Sequence, residues 1–308
     1  MELKPSREAF CKLAAETNLI AVAKEINMDL DTPVSVYYKL VGEKKGFILE
    51  SVDTTHQQFG RFSFIGAEPF ARLQVFKDKL MINENGLMKC IMGEPVKTIK
   101  QYMQGYRPAV EDASLPLANG GMVGYLNYDI VATFDRVRGM ELGEEELLGQ
   151  FMICRVLVVY DALHNSARLI CLADTKGRDA NEAYDAVAEK IAKVEARLAA
   201  PLASQAGEAS KCREKVDFLK RFGKAPADFL QAIHKAKEHI FAGDIFQVVP
   251  SRQFREKITK PCFHFYRRLR QVNPSPYMFY FNFGPVKLVG ASPEMLVKVA
   301  GDTVYTCL

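Results

Sequence analysis

Hydrophobic positions along this chain repeat with two periods, and the period switches several times. From Ala183, the apolar residues Val187, Ile191, Val194 and Leu198 fall on one helical face until Pro201 ends the run. That spacing predicts an amphipathic helix. A second helix is predicted over 228–242, capped by Asp228, striped by Phe229, Ile233, Ala236 and Ile240, and stopped by Gly243. Ser6 suits the cap of a helix over 7–16, with Phe10, Leu13 and Ala14 facing inward. Elsewhere the period is two. Segments 34–41 and 47–52 flank Gly42-Glu43-Lys44-Lys45-Gly46 and read as a β-hairpin. Its second arm ends in Glu50-Ser51, where a strand running out into solvent is the plain reading.

Phe62 and Phe64 share one face of Gly60-Arg61-Phe62-Ser63-Phe64-Ile65-Gly66, and strands are predicted over 70–76, 79–83 and 87–91. Asn85-Gly86 marks the turn between the last two. Segments 151–160 and 167–173 read as a hairpin around His164-Asn165-Ser166. Segment 244–249 reads as a buried strand, and Gln247 inside it then needs a hydrogen-bond partner. Strands over 277–283, 286–289, 295–299 and 303–306 complete the pattern. The chain stops inside that meander, which reads as a truncation, because open antiparallel edges need a partner or a device that blunts them.

Pro274 and Pro276 fix φ twice just before the aromatic run Tyr277-Met278-Phe279-Tyr280-Phe281. Asn273 and Ser275 are pushed toward extended geometry. The stiff lead-in aims Tyr277 and Met278 at one place, a candidate pocket wall. Other motifs carry less. Gly120-Gly121-Met122-Val123-Gly124-Tyr125 lacks the spacing and the lysine of a nucleotide loop and fits close strand packing. Glu144-Glu145-Glu146 reads as a solvated acidic turn. A short helix after Pro261 carries Arg267, Arg268 and Arg270, read as a solvated face. The small, polar run 201–211 is the best linker.

Composition narrows the function. The 308 residues are 25% charged and 48% hydrophobic, ordinary for a soluble globule, and the net charge of +4 is too weak to imply nucleic acid. The seven cysteines lie far apart with no C-x-x-C, so neither zinc nor a disulfide framework is suggested, and reduced thiols in a cytoplasm fit. The N-terminus lacks a signal core, and no apolar run approaches the roughly 20 residues of a membrane helix. The five histidines are scattered; His234 and His239 share one helix at a spacing that does not make a pair. No acids are spaced for a magnesium site. The residues offer a pocket and no catalytic cluster.

Six motifs in order closely resemble component I of anthranilate synthase. They are Phe47-Ile48-Leu49-Glu50-Ser51, Gly60 through Gly66, Gly120 through Tyr125, Ala242-Gly243-Asp244-Ile245-Phe246-Gln247-Val248-Val249-Pro250-Ser251, the 273–279 run and Ala291-Ser292-Pro293-Glu294. The resemblance implies an α+β fold of two packed antiparallel β-sheets with outer helices, incomplete at the C-terminus. It implies a regulatory region over 1–200, a linker over 201–225 and the start of a chorismate-binding region over 226–308. It also implies a Mg²⁺-dependent enzyme of tryptophan biosynthesis that converts chorismate and ammonia to anthranilate and pyruvate. A glutamine amidotransferase subunit supplies the ammonia, and tryptophan inhibits by binding between the sheets. Carried over residue by residue, the tryptophan site falls on Glu50, Ser51, Asn273, Pro274, Pro276, Tyr277 and Met278. Glu50 or nearby carbonyls would meet the ammonium, backbone N–H groups the carboxylate, and proline and methionine the indole.

The match covers somewhat more than the first half of a family member. The next family motif would begin where Cys307-Leu308 stands, and the magnesium ligands and catalytic histidine lie beyond it. No catalytic or metal residue is assigned here, Gln247 and Glu294 included, and the chain alone is expected to make no anthranilate. Aminodeoxychorismate synthase component I is the sister alternative, disfavoured by Glu50-Ser51 and Pro276-Tyr277-Met278. A non-catalytic remnant that binds tryptophan or the partner subunit is the other.

Overall fold

The computed structural model describes residues 2–52, 61–109, 120–202 and 221–306. Ser6 caps α1 (Arg7–Ala14), its side chain accepting from the Ala9 amide, and β1 (Leu19–Asn27) follows. The expected strand over 34–41 is instead α2 (Pro33–Leu40). Local chemistry decides this. Thr32 and Ser35 form a reciprocal capping box, Pro33 takes the first helical turn, and Val36, Tyr37 and Leu40 bury one stripe. The β-branched content of the segment is overruled.

Next come β2 (Gly46–Glu50), β3 (Phe62–Val75), β4 (Lys79–Glu84), β5 (Leu87–Met92), α3 (Pro95–Gln104) and β6 (Met122–Leu126). Asn85 and Gly86, both at positive φ, make the β4–β5 turn as expected. Gly124 lies so close to β7 (Gly149–Asp161) that a Cβ would stand 2.0 Å from the Gln150 carbonyl oxygen, the close strand packing read from the glycines. A tight hairpin leads to β8 (Ser166–Asp174), and Asp179 caps α4 (Ala180–Ala199). Val187, Ile191, Val194 and Leu198 are all buried, as their spacing requires. After α5 (Ala227–Ala242) and α6 (Cys262–Val272) come β9 (Tyr277–Asn282), β10 (Lys287–Ser292), β11 (Lys298–Ala300) and β12 (Thr303–Tyr305).

The order of the main sheet is β1-β8-β7-β3-β2-β9-β10, with β4 and β5 continuing from β3, β6 pairing β7, and every pair antiparallel. The class is α+β, as expected. Where the resemblance implies two packed sheets, the described residues form this ten-stranded sheet and a separate β11–β12 ribbon. A register shift in β3 between Pro69 and Ala71 marks a bulge. One apolar cluster joins the sheet to α1, α2, α4 and α6 through residues such as Phe10, Tyr37, Ile191 and Tyr266. The other gathers Phe47, Leu73, Leu80, Met152 and Phe281.

The chain divides into two compact units, 1–203 with 262–308, and 204–261. The expected division was 1–200, a linker over 201–225 and 226–308; the pairing of β9 with β2 joins 262–308 to the first unit. Most of the expected linker lies outside the described residues. In the second unit α5 ends at Gly243 in the left-handed conformation, and Asp228 stands in its first turn while Pro226 takes the cap position. The expected buried strand over 244–249 does not form. Phe246 is 93% and Val249 78% exposed, because no described segment of this unit offers the ladder partner or cover a buried strand needs.

Candidate functional site

The β2–β9 register sets Glu50 opposite Met278. Those two strand ends open onto a cavity of about 1040 Å³. Glu50, Ser51, Pro276, Tyr277 and Met278 all line it, so five of the seven expected site residues converge there from distant parts of the chain. Asn273 and Pro274 do not. Asn273 closes α6, its amide donating to the Leu269 carbonyl at 2.8 Å. The Val52 amide donates to the Ser275 carbonyl at 3.1 Å, locking the two lead-ins side by side. The remaining wall is largely aromatic and aliphatic, with Phe62 and Phe64 from β3, Tyr125 from β6, and Phe279 and Phe281 from β9. Lys298 reaches the rim from β11, its ammonium 5.8 Å from the Tyr305 ring centre.

Glu50 does not run into solvent. It is 4% exposed. The Tyr266 hydroxyl donates to its Oε2, and Arg270 Nε lies 2.9 Å from the same oxygen, an ion pair off the line of an aligned hydrogen bond. Burial pushes the Glu50 carboxyl above its ordinary value, and Arg270 and Tyr266 offset only part of that. Burial raises the Tyr266 hydroxyl as well, and the Glu50 charge adds to it.

The solvated arginine face expected on α6 therefore needs correction. Arg268 is exposed and donates to Gln271 at 3.0 Å, but Arg267 stacks over Tyr38 and Arg270 turns inward to Glu50. Residues 263, 266 and 270 share a helical stripe with spacings of three and four. Phe263 and Tyr266 made that stripe apolar, and this spacing was the available signal that Arg270 points inward.

Ser51 Oγ is buried and has no hydrogen-bond partner among the described residues. An unpaired buried hydroxyl typically costs about 1–3 kcal/mol. Since Ser51 lines the cavity, a bound molecule could supply the missing partner. Arg61, also in the wall, is already held by Asp161 at 2.7 Å. Burial would raise the Asp161 carboxyl, but Arg61, His164 and the Leu163 amide together hold it well below the carboxylate range. Among the described residues no group of three or more His, Cys, Asp or Glu side chains is placed to hold a metal ion. The magnesium implied by the resemblance has no assigned ligands here.

The antiparallel α+β frame carries a mostly apolar cavity at the meeting of two distant strand ends, the kind of concave surface small-molecule sites use. Comparison with known proteins gives the family. Residues 45–307 match the model of the chorismate binding enzymes. Anthranilate synthase component 1 of Acetivibrio thermocellus is 33% identical over 301 residues, 96% of this chain and 60% of that protein. Its counterpart in Pseudomonas aeruginosa is 34% identical over 306 residues, with 96% and 60% covered. The crystal structure of anthranilate synthase component I from Streptococcus pneumoniae superposes with a TM-score of 0.63 at 25% identity, covering 91% of this chain and 60% of that one. The chain belongs to the chorismate-binding enzyme family. It spans about 60% of the length of the curated relatives it matches.

Proposed function

We propose that this chain is the effector-binding portion of an anthranilate synthase component I, and that its cavity takes L-tryptophan. The convergence of Glu50, Ser51 and the Pro276-Tyr277-Met278 wall on one cavity carries this reading. The chemistry suits the ligand. Phe, Pro and Met surfaces match an indole, Ser51 Oγ can bond a polar head group, and the buried acid disfavours a purely apolar guest. Both Glu50 contacts among the described residues engage Oε2, so its role toward an ammonium is shared with holding Arg270 and Tyr266.

In the whole enzyme, chorismate and ammonia would give anthranilate and pyruvate with Mg²⁺, the ammonia coming from a glutamine amidotransferase subunit. The setting would be cytoplasmic. No described helix is long and apolar enough to cross a membrane. The Glu50-Ser51 and Pro276-Tyr277-Met278 pairing favours anthranilate over aminodeoxychorismate synthesis.

The chain contains no tryptophan, so indole fluorescence reports the ligand alone. L-tryptophan at a hundredfold excess over its dissociation constant is expected to stabilise the protein by about 2.7 kcal/mol. Ser51→Arg should abolish the shift by placing a long cation where a hydroxyl stands. No shift in the wild type, or equal shifts in both proteins, would remove the assignment.

A second expected result uses two glycines under aromatic rings. A Cβ on Gly290 would lie 2.1 Å from Phe279, and one on Gly66 equally close to Phe47. Only Phe279 lines the cavity. Gly290→Ala should therefore weaken L-tryptophan binding at least tenfold, about 1.4 kcal/mol, whereas Gly66→Ala should lower stability with little change in affinity. Isothermal titration of the two variants decides the matter, and matched affinities would count against the cavity.

A further inference from the structure

A second cavity, of about 850 Å³, lies where the 42–45 loop, β3, the β4–β5 turn and α4 come together. Its charge is one-sided. Lys44, Lys45, Arg72, Arg155, Lys190 and Arg197 line it against only two carboxylates, Glu43 and Glu68. The surplus matches the +4 formal charge of the entire chain, gathered at one place. Glu68 is already committed, to Lys190 at 2.6 Å and to Arg197 at 3.3 Å. Among the described residues Lys44, Lys45 and Arg72 have no carboxylate partner.

The backbone builds this arrangement deliberately. Asn282, 1% exposed, donates to the carbonyls of Glu43 and Lys44 at 3.1 and 2.8 Å, which fixes the loop that carries the two lysines. Gly284, at φ 106°, lets the Lys45 stem lie across the next turn, since a Cβ there would come within 2.9 Å of Lys45 Cε. Glu68 holds φ 55° beside the β3 bulge, a left-handed conformation that costs a non-glycine residue about 1–3 kcal/mol. Arg155 is braced by Asn85 at 2.6 Å and by the Phe70 ring. Partial burial and the nearby Arg72 charge lower the Lys45 pKa, as expected of cations held together without an anion between them.

We infer that this cavity binds a small polyanion, a molecule carrying two or more carboxylate or phosphate groups. Guanidinium forks at Arg72 and Arg155 suit either group, and the lysines add point charges. The ligand would relieve repulsion that the fold itself leaves standing.

The test uses the full chain with pyrophosphate and with citrate, each against sodium chloride of equal ionic strength. Either anion should raise the melting temperature beyond the salt control, and the one that acts names the ligand class. The double variant Lys45→Gln/Arg72→Gln, which keeps side-chain bulk, should bind that anion at least tenfold more weakly. If it fails to fold, Lys45→Gln alone is read the same way. No response to either anion, or unchanged affinity in the variants, overturns the inference. L-tryptophan titration of the same variants reads the first cavity separately, so a failure at one site is not mistaken for a failure at the other.

Discussion

Phe263→Ala is expected to lower the unfolding free energy by about 3–5 kcal/mol. Phe263 is 2% exposed and stacks on Tyr37 at 4.0 Å between ring centres. Tyr266 stacks at 5.4 Å, and Tyr280 and Tyr38 meet the ring edge-on at 5.1 and 5.0 Å. Those neighbours belong to α2, α6 and β9, so deletion of the ring leaves a hole bounded by three elements that cannot collapse together. Aromatic pairs add roughly 0.5–1.5 kcal/mol beyond their buried area. Phe263→Leu should recover more than half of the loss. Urea unfolding followed by the tyrosine near-ultraviolet band measures both, and a loss below about 1 kcal/mol for the alanine variant would contradict this packing.

Removing one side of the Glu50–Arg270 pair has a comparable effect by another route. Breaking a buried ion pair typically costs about 3–5 kcal/mol, because the remaining charge is stranded. The Arg270 side chain keeps 29% exposure, so water softens the penalty, and about 3 kcal/mol is expected for Glu50→Ala. The pH dependence runs against the usual carboxylate. Burial raises the folded-state pKa of Glu50 above its ordinary 4.5. The folded state then holds the proton more tightly than the unfolded one, and this group's contribution falls as pH rises from about 4.5 through the raised value. Glu50→Gln has nothing to ionise at this position. Its stability should fall less steeply with pH across that window than that of the wild type. Parallel curves would show that the burial of Glu50 carries no titration cost.

The parts legible in the sequence were those where one local signal sufficed. Val187, Ile191, Val194 and Leu198 announced a helix because each turn repeated the message, and Asn85-Gly86 announced a turn because its backbone demands positive φ. Segment 34–41 misled because its side chains favour a strand, while the capping exchange between Thr32, just before it, and Ser35 starts a helix. At 244–249, an apolar run looked like a strand although no described partner is there to make it one. The meeting of Glu50-Ser51 with Pro276-Tyr277-Met278 in one cavity was legible in outline through the double proline and the resemblance. Tyr266 and Arg270 were not, since their value depends on Glu50, 216 residues from Tyr266 in sequence. The basic cavity was equally hidden, because its cations come from four separate segments and meet only in the fold.

The place of β2 in the sheet also sets a timetable. One edge of Phe47-Ile48-Leu49 is satisfied by β3, which follows soon after, but the other edge waits for β9. At translation rates of roughly 5–20 residues per second, that wait is on the order of 10 s or more. Throughout it, a nascent chain carries an apolar strand with open hydrogen-bonding groups, a template for mispairing with a neighbouring chain. Yield of folded protein in the cell should therefore depend on what shields that edge during synthesis as much as on the stability finally reached.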